Sequence, residues 1–224
     1  MTSSSWHAHG NVYLVADSDN YVMEPGLDGV VQVLGVDGDD VSIAIVNPDG
    51  SLAEMSGNGT RIAAAWLMER SGSDHVRVHV GPRVVDVRRV GDEYESDLGE
   101  IEIGAPETVD GIELTPVVVG NPHAVVLDDP ARLDELGPLL ETHPRFPNRT
   151  NVQVARREGP GEVTARVWER GVGETTASGS SAVAVAAAAF GDGDVVVHFP
   201  GGDLRVRLQD GRATLIGPAE RVRA

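Results

Sequence analysis

Apolar positions recur mostly at alternate residues in short runs, and Gly, Asp, Asn or Pro closes each run. That two-residue period predicts β-strands over Asn11 to Val15, Val30 to Leu34, Val41 to Val46, Val76 to Val80, Arg83 to Val90, Leu114 to Val119, Glu162 to Trp168, Val195 to Phe199 and Leu204 to Leu208. Two segments depart from it. Gly59 to Arg70, and Ser180 to Phe190 with Gly191 as its stop, are rich in Ala and apolar nearly all round, as expected of helices wrapped by sheet. A shorter helix is predicted over Asp129 to Leu140 as a surface connection.

Each central helix follows a Ser-Gly pair, Ser56–Gly57 and Ser178–Gly179, and the two serines stand 122 residues apart in a chain of 224. That spacing suggests a duplicated unit. The fold class expected is α+β, with two β-rich halves that each enclose one helix. The halves are placed at 1–108, joined by the last strand at about 215–224, and at 109–214.

Composition narrows the chemistry. Apolar residues are 41% and charged residues 24% of the chain, and 27 Gly and 13 Pro are dispersed, which excludes disorder and collagen. The longest apolar run, Ala182 to Phe190, has nine residues against the roughly 20 that cross a bilayer. The opening MTSSSWHAHG carries no basic-then-apolar leader, so a cytoplasmic protein that engages no membrane is expected. There is no Cys, which removes disulfides, thiolate metal sites and thiol nucleophiles. There is no Lys either, so no pyridoxal phosphate Schiff base can form. The net charge of -17 repels nucleic acid, and the same acidity also serves as a solubility device.

Helices that begin just after Ser56 and Ser178 direct free N–H groups and positive dipole ends at whatever lies between the halves, a place suited to an anion. Glu169 and Arg170 precede Ser178 closely, and such a pair suits a zwitterion whose carboxylate wants Arg and whose ammonium wants a carboxylate. Asn47 in NPDGS, Asn121 in GNPH and Asn151 in FPNRTN stand in tight contexts where an amide could read an amino acid's backbone. Each feature also has a plainer role: a helix cap, an Asn-Pro turn or a solvated ion pair. SGNGT lacks the GK[ST] ending of a phosphate loop. His75 and His79 share a strand face about 13 Å apart, too far for one metal, so no metal site is expected.

The segments EMSGNGTR at 54–61, GNPHAV at 120–125, FPNRTNV at 146–152 and RVWERGVGETTASGSSA at 166–182 closely resemble, in this order, the motifs of diaminopimelate epimerase. The likeness extends to GNVYLV at 10–15, NPDGS at 47–51 and GPAERV at 217–222, and so spans nearly the whole chain. The resemblance implies two pseudo-symmetric, barrel-like halves, each around a central helix, and an isomerase that uses no cofactor. It implies inversion at the Cα of a diamino dicarboxylate in lysine and cell-wall biosynthesis, an amino-acid substrate as partner, and leaves a homodimer open. The family's substrate-binding positions match Asn11, Asn47, Gly57, Asn58, Asn121, Asn151, Glu169, Arg170, Gly179 and Ser180, and its two catalytic cysteines fall on Ser56 and Ser178. The segment between Tyr13 and Val33 is shorter than the family's, which usually carries a helix there.

The two serines matter energetically. A thiol titrates near 8.5, whereas an alcohol, approximated by water near 15.7, costs about 10 kcal/mol more to ionise. A helix dipole returns about 1–2 kcal/mol, too little for a serine alone to remove a Cα proton at a useful rate. Three alternatives stay open: a Cys-to-Ser form of an epimerase, a relative diverged to isomerisation or elimination with Glu54 and His123 as acid and base, or a binding protein that keeps the pocket without chemistry.

Overall fold

The computed structural model describes residues 3–9, 11–17, 21–53 and 56–222. In chain order it holds β1 (Ser4–Ala8), β2 (Asn11–Ala16), β3 (Gly29–Asp37), β4 (Asp40–Val46), α1 (Gly57–Ser71), β5 (His75–Val80), β6 (Arg83–Val90), β7 (Glu93–Glu100), β8 (Glu102–Ile103), β9 (Glu107–Val109) and β10 (Ile112–Val118). There follow β11 (Pro122–Leu127), a 3-10 turn at Pro130–Arg132, α2 (Leu133–Glu141), β12 (Asn151–Gly159), β13 (Glu162–Glu169), β14 (Gly173–Thr175), α3 (Gly179–Phe190), β15 (Gly193–Phe199), β16 (Gly202–Gln209), β17 (Arg212–Gly217) and β18 (Glu220–Arg221). The fold class is α+β, as expected from the sequence.

The chain divides into two compact units, Met1–Leu98 with Ile216–Ala224, and Gly99–Leu215. The division falls ahead of the 108/109 boundary expected from sequence. The reason is pairing: β8 and β9 both bond to β10, which commits residues 102–109 to the second unit. Between β9 and β10 the chain reverses at Asp110 and Gly111, with φ of 49° and 82°. Two consecutive left-handed residues suit the twist of a tight hairpin, and Asp-Gly tolerates them where bulkier pairs would not.

Within the first unit, β1/β2 pair antiparallel, β2/β3 parallel, β3/β4 antiparallel, β4/β5 parallel and β5/β6 antiparallel. The second unit repeats that alternation in β10/β11, β11/β12, β12/β13, β13/β15 and β15/β16. In each unit the central helix is the crossover between the second parallel pair: α1 joins β4 to β5 and α3 joins β13 to β15. The first parallel pair differs. In the second unit α2 forms the crossover from β11 to β12, whereas the link at residues 17–28 of the first unit carries no helix among its described residues.

The two central helices are buried almost throughout, α1 from Gly57 to Met68 and α3 from Gly179 to Ala187. Each packs against six strands of its own unit. Alanine suits that setting, because its small side chain lets the sheet approach on every side and loses no rotamer freedom. Gly59 shows how close the approach is: a Cβ there would stand 3.0 Å from Ile45 Cδ1 on β4. By contrast α2 is amphipathic. Its Leu133, Leu136 and Leu140 pack on Leu114, Ala124, Val126, Val152 and Val154, with Trp168 at the margin.

Candidate functional site

In the first unit the site is built around the N-terminus of α1. Ser56 is the N-cap residue, in extended conformation at φ -140° and ψ 119°, and its Oγ accepts from Gly59 N at 3.1 Å. The Tyr13 hydroxyl on β2 lies 3.3 Å from the same Oγ. In the first turn of the helix, Asn58 Nδ2 donates to Asn11 Oδ1 at 3.3 Å, which ties α1 to the start of β2. Arg61 Nη2 donates to Asn58 Oδ1 at 2.6 Å, and Arg61 Nε donates to Pro218 O at 3.4 Å. The guanidinium is 0% exposed, and burial lowers its pKa to about 10, so it is still charged at neutral pH. Asn47 begins the turn after β4, where its Nδ2 donates to Ser51 Oγ at 3.0 Å. Glu54 lies outside the described residues.

The second unit repeats the helix entry with one change. Ser178 caps α3 in nearly the same backbone conformation, φ -144° and ψ 130°, but its side chain makes no capping hydrogen bond. Gly179 and Ser180 are the first helical residues and are buried. Asn151, at the head of β12, donates from Nδ2 to Pro122 O at 2.8 Å and accepts from Arg170 N at Oδ1 at 3.0 Å. Arg170 Nη1 donates to Asn148 O at 3.3 Å. Glu169 Oε1 accepts from Thr175 Oγ1 at 2.6 Å. The structure thus joins Asn11 to Asn58 in one unit and Asn151 to Arg170 in the other.

His123 does not suit the acid–base role weighed from the sequence. It is 1% exposed, and burial pushes its pKa down to about 3, so it is neutral at pH 7 and a poor base. Both ring nitrogens are engaged: Nε2 lies 2.8 Å from Asn121 Oδ1, and Gln153 Nε2 lies 3.0 Å from Nδ1. A carbonyl oxygen facing Nε2 and an amide N–H facing Nδ1 correspond to the Nε2–H tautomer as these amides are oriented. Gln153 Nε2 also donates to Ser181 Oγ at 3.0 Å, so that a hydrogen-bonded chain runs from the half-buried Asn121 on the β10–β11 turn to the buried first turn of α3.

His75 and His79 also fall apart as a pair: His75 Nε2 meets Asp86 at 3.0 Å and His79 Nε2 meets Asp40 at 2.6 Å. Among the described residues no group of three or more His, Cys, Asp or Glu could hold a metal ion. No helix among them is long and apolar enough to cross a membrane. The motifs alone did not single out Tyr13, Arg61, Glu141, Gln153 or Ser181. An Arg among the apolar positions of RIAAAW was the one available signal; the others meet their partners only through the fold.

The family model for diaminopimelate epimerase matches residues 10–104 and 115–222. A diaminopimelate epimerase of Pelotomaculum thermopropionicum is 37% identical over 229 residues, covering 88% of this chain and 82% of that one. One from Synechocystis is 33% identical over 270 residues and covers 99% and 97% of the two chains. Among solved structures, a predicted epimerase from Pseudomonas aeruginosa superposes with a TM-score of 0.76 at 19% identity, over 99% of this chain and 96% of the other. A hydroxyproline epimerase from Agrobacterium vitis gives 0.74 at 16% identity, over 98% and 88%. At those identities the structures speak to the fold, while the sequence matches speak to descent. This chain belongs to the diaminopimelate epimerase family, and it does so without a single cysteine.

Proposed function

We propose that this chain binds LL- and meso-diaminopimelate in the cytoplasm, as a cofactor-independent isomerase of lysine and cell-wall biosynthesis whose proton-transferring positions are Ser56 and Ser178. The observation that carries this is the pairing of residues the resemblance assigns to substrate binding: Asn11 with Asn58 in the first turn of α1, and Asn151 with Arg170 at the head of β12, both fixed by hydrogen bonds. Oriented amides, helix N–H groups and one guanidinium supply the donors that an amino acid's carboxylate requires. Gly57, Gly179 and Ser180 add main-chain donors at the two helix starts.

One observation favours binding without turnover in the present form. Ser56 Oγ already accepts the Gly59 N–H as a cap. A hydroxyl whose lone pair is held in this way, and whose ionisation costs about 10 kcal/mol more than a thiol's, is a feeble base. The experiment follows deuterium uptake at Cα from heavy water into LL-diaminopimelate, using this chain and its Ser56→Cys/Ser178→Cys version. Exchange in the dicysteine version alone supports an epimerase frame that has lost its bases. Exchange in both supports an active serine form, and silence in both refutes the epimerase assignment.

A further inference from the structure

Glu141 is the last residue of α2 and is 5% exposed. A carboxylate is badly placed there for stability alone, since burial penalises its charge and the negative end of the helix dipole repels it. Four contacts converge on it. Oε2 accepts from Trp168 Nε1 at 2.8 Å, Oε1 accepts from Gly171 N at 2.7 Å, and Oε1 also forms an ion pair with Arg149 Nη2 at 2.5 Å. Its backbone carbonyl accepts from Thr150 N at 3.2 Å.

Trp168 and Gly171 bracket the Glu169–Arg170 pair in sequence, while Arg149 and Thr150 separate Asn148 from Asn151. These are the two residues whose oxygens hold Arg170, through its side chain and its backbone N–H respectively. One carboxylate therefore ties both sides of the Arg170 anchorage to the end of a helix. Arg149 reaches it from a left-handed backbone conformation, φ 61°, in which an L side chain is strained. Gly137 lets α2 lie this close, since a Cβ there would stand 2.9 Å from Trp168.

We propose that Glu141 is a positioning residue, which holds the turn at 168–171 against the segment 148–151 so that Arg170 and Asn151 are set for a ligand carboxylate before it arrives. This rests on the substrate-binding role given to Arg170 and Asn151 above. The device belongs to the second unit alone, because α2 has no counterpart among the described residues of the first.

The test compares Glu141→Gln, Arg170→Ala and the double variant with the parent chain, by calorimetry with meso-diaminopimelate and by hydrogen exchange at the Gly171 amide. Glu141→Gln keeps the volume but loses the charge and one acceptor. It is expected to speed exchange at Gly171 at least tenfold, leave exchange in α1 unchanged and weaken binding about tenfold. In the Arg170→Ala background it should weaken binding no further, a coupling that general loss of stability would not produce. If Glu141→Gln does not fold, Trp168→Phe removes the indole donor together with part of the packing on α2, and should give a two- to threefold loss. Failure of the parent to bind meso-diaminopimelate would overturn the substrate assignment. Slow Gly171 exchange that survives the substitution, or equal losses in both backgrounds, would overturn the positioning role.

Discussion

Arg61 and Asn58 stand one helical turn apart in α1, and the guanidinium of the first donates to the amide oxygen of the second at 2.6 Å in a fully buried setting. The contact fixes which way the Asn58 amide faces. With its oxygen taken, Asn58 presents its NH2 to Asn11, and two residues assigned to the ligand are oriented by a third that need not touch it. Asn58→Ala would leave the buried cation short of a partner while Nη1 already has none, so a loss of about 2–4 kcal/mol is expected. Arg61→Met in the same chain should recover part of it, because the stranded charge is then gone. Urea unfolding of the two single variants and the double measures both terms.

The two serines should separate in stability as well as in chemistry. Ser56 caps its helix through its side chain and Ser178 does not. Ser56→Ala is therefore expected to cost about 1 kcal/mol, and Ser178→Ala only a few tenths. Equal costs in denaturant unfolding would contradict the capping difference.

Acid should weaken the fold through His123. Its imidazole titrates near 6.5 when unfolded, and burial lowers it to about 3 in the native chain. Between those values the unfolded chain takes up a proton that the folded one refuses, so stability is whole above about pH 6.5 and falls as the pH drops through that window. By pH 4 this residue alone should remove roughly 3 kcal/mol. Urea unfolding of the parent and of His123→Gln, at pH 7 and pH 4.5, checks it: the substituted chain should lose distinctly less between the two.

Gly137→Ala tests the approach of α2 to the sheet. The new methyl would meet Trp168 Cβ, Cγ and Cδ2 at 2.9 Å, atoms near the root of the side chain that cannot swing aside. A cost of about 1–3 kcal/mol is expected from the overpacking. A fluorescence change from Trp168 should accompany it, and unaltered stability would show that the helix can shift without penalty.

What the sequence disclosed follows the range of the physics. Strands with alternating Val or Leu, such as β5 and β16, and the two Ala-rich helices were legible because their periodicity is local. β7, with the sequence EYESDLGE, was not, since its sole clearly apolar inward residues are Tyr94 and Leu98 and its polar majority reads as loop. β11 and β12 were noticed as motifs and not as strands. Over the stretch where they pair in parallel, 123–127 with 151–155, burial is nearly continuous, which removes the alternation a sequence search relies on. For the site, the residues named by motif were visible, whereas Glu141 and Gln153 have partners far along the chain and nothing beside them to mark them.

One feature of Arg61 bears on how the molecule comes into being. Its Nε reaches a carbonyl 157 positions later, at Pro218, in the stretch that returns to the first unit after the second is complete. On a ribosome, α1 emerges long before that stretch exists, so its cation stays hydrated and the unit around it stays unfinished. The second unit, one uninterrupted run from Gly99 to Leu215, has all its own strands first. The strand that completes the first unit around Arg61 is therefore made only after the whole of the second unit.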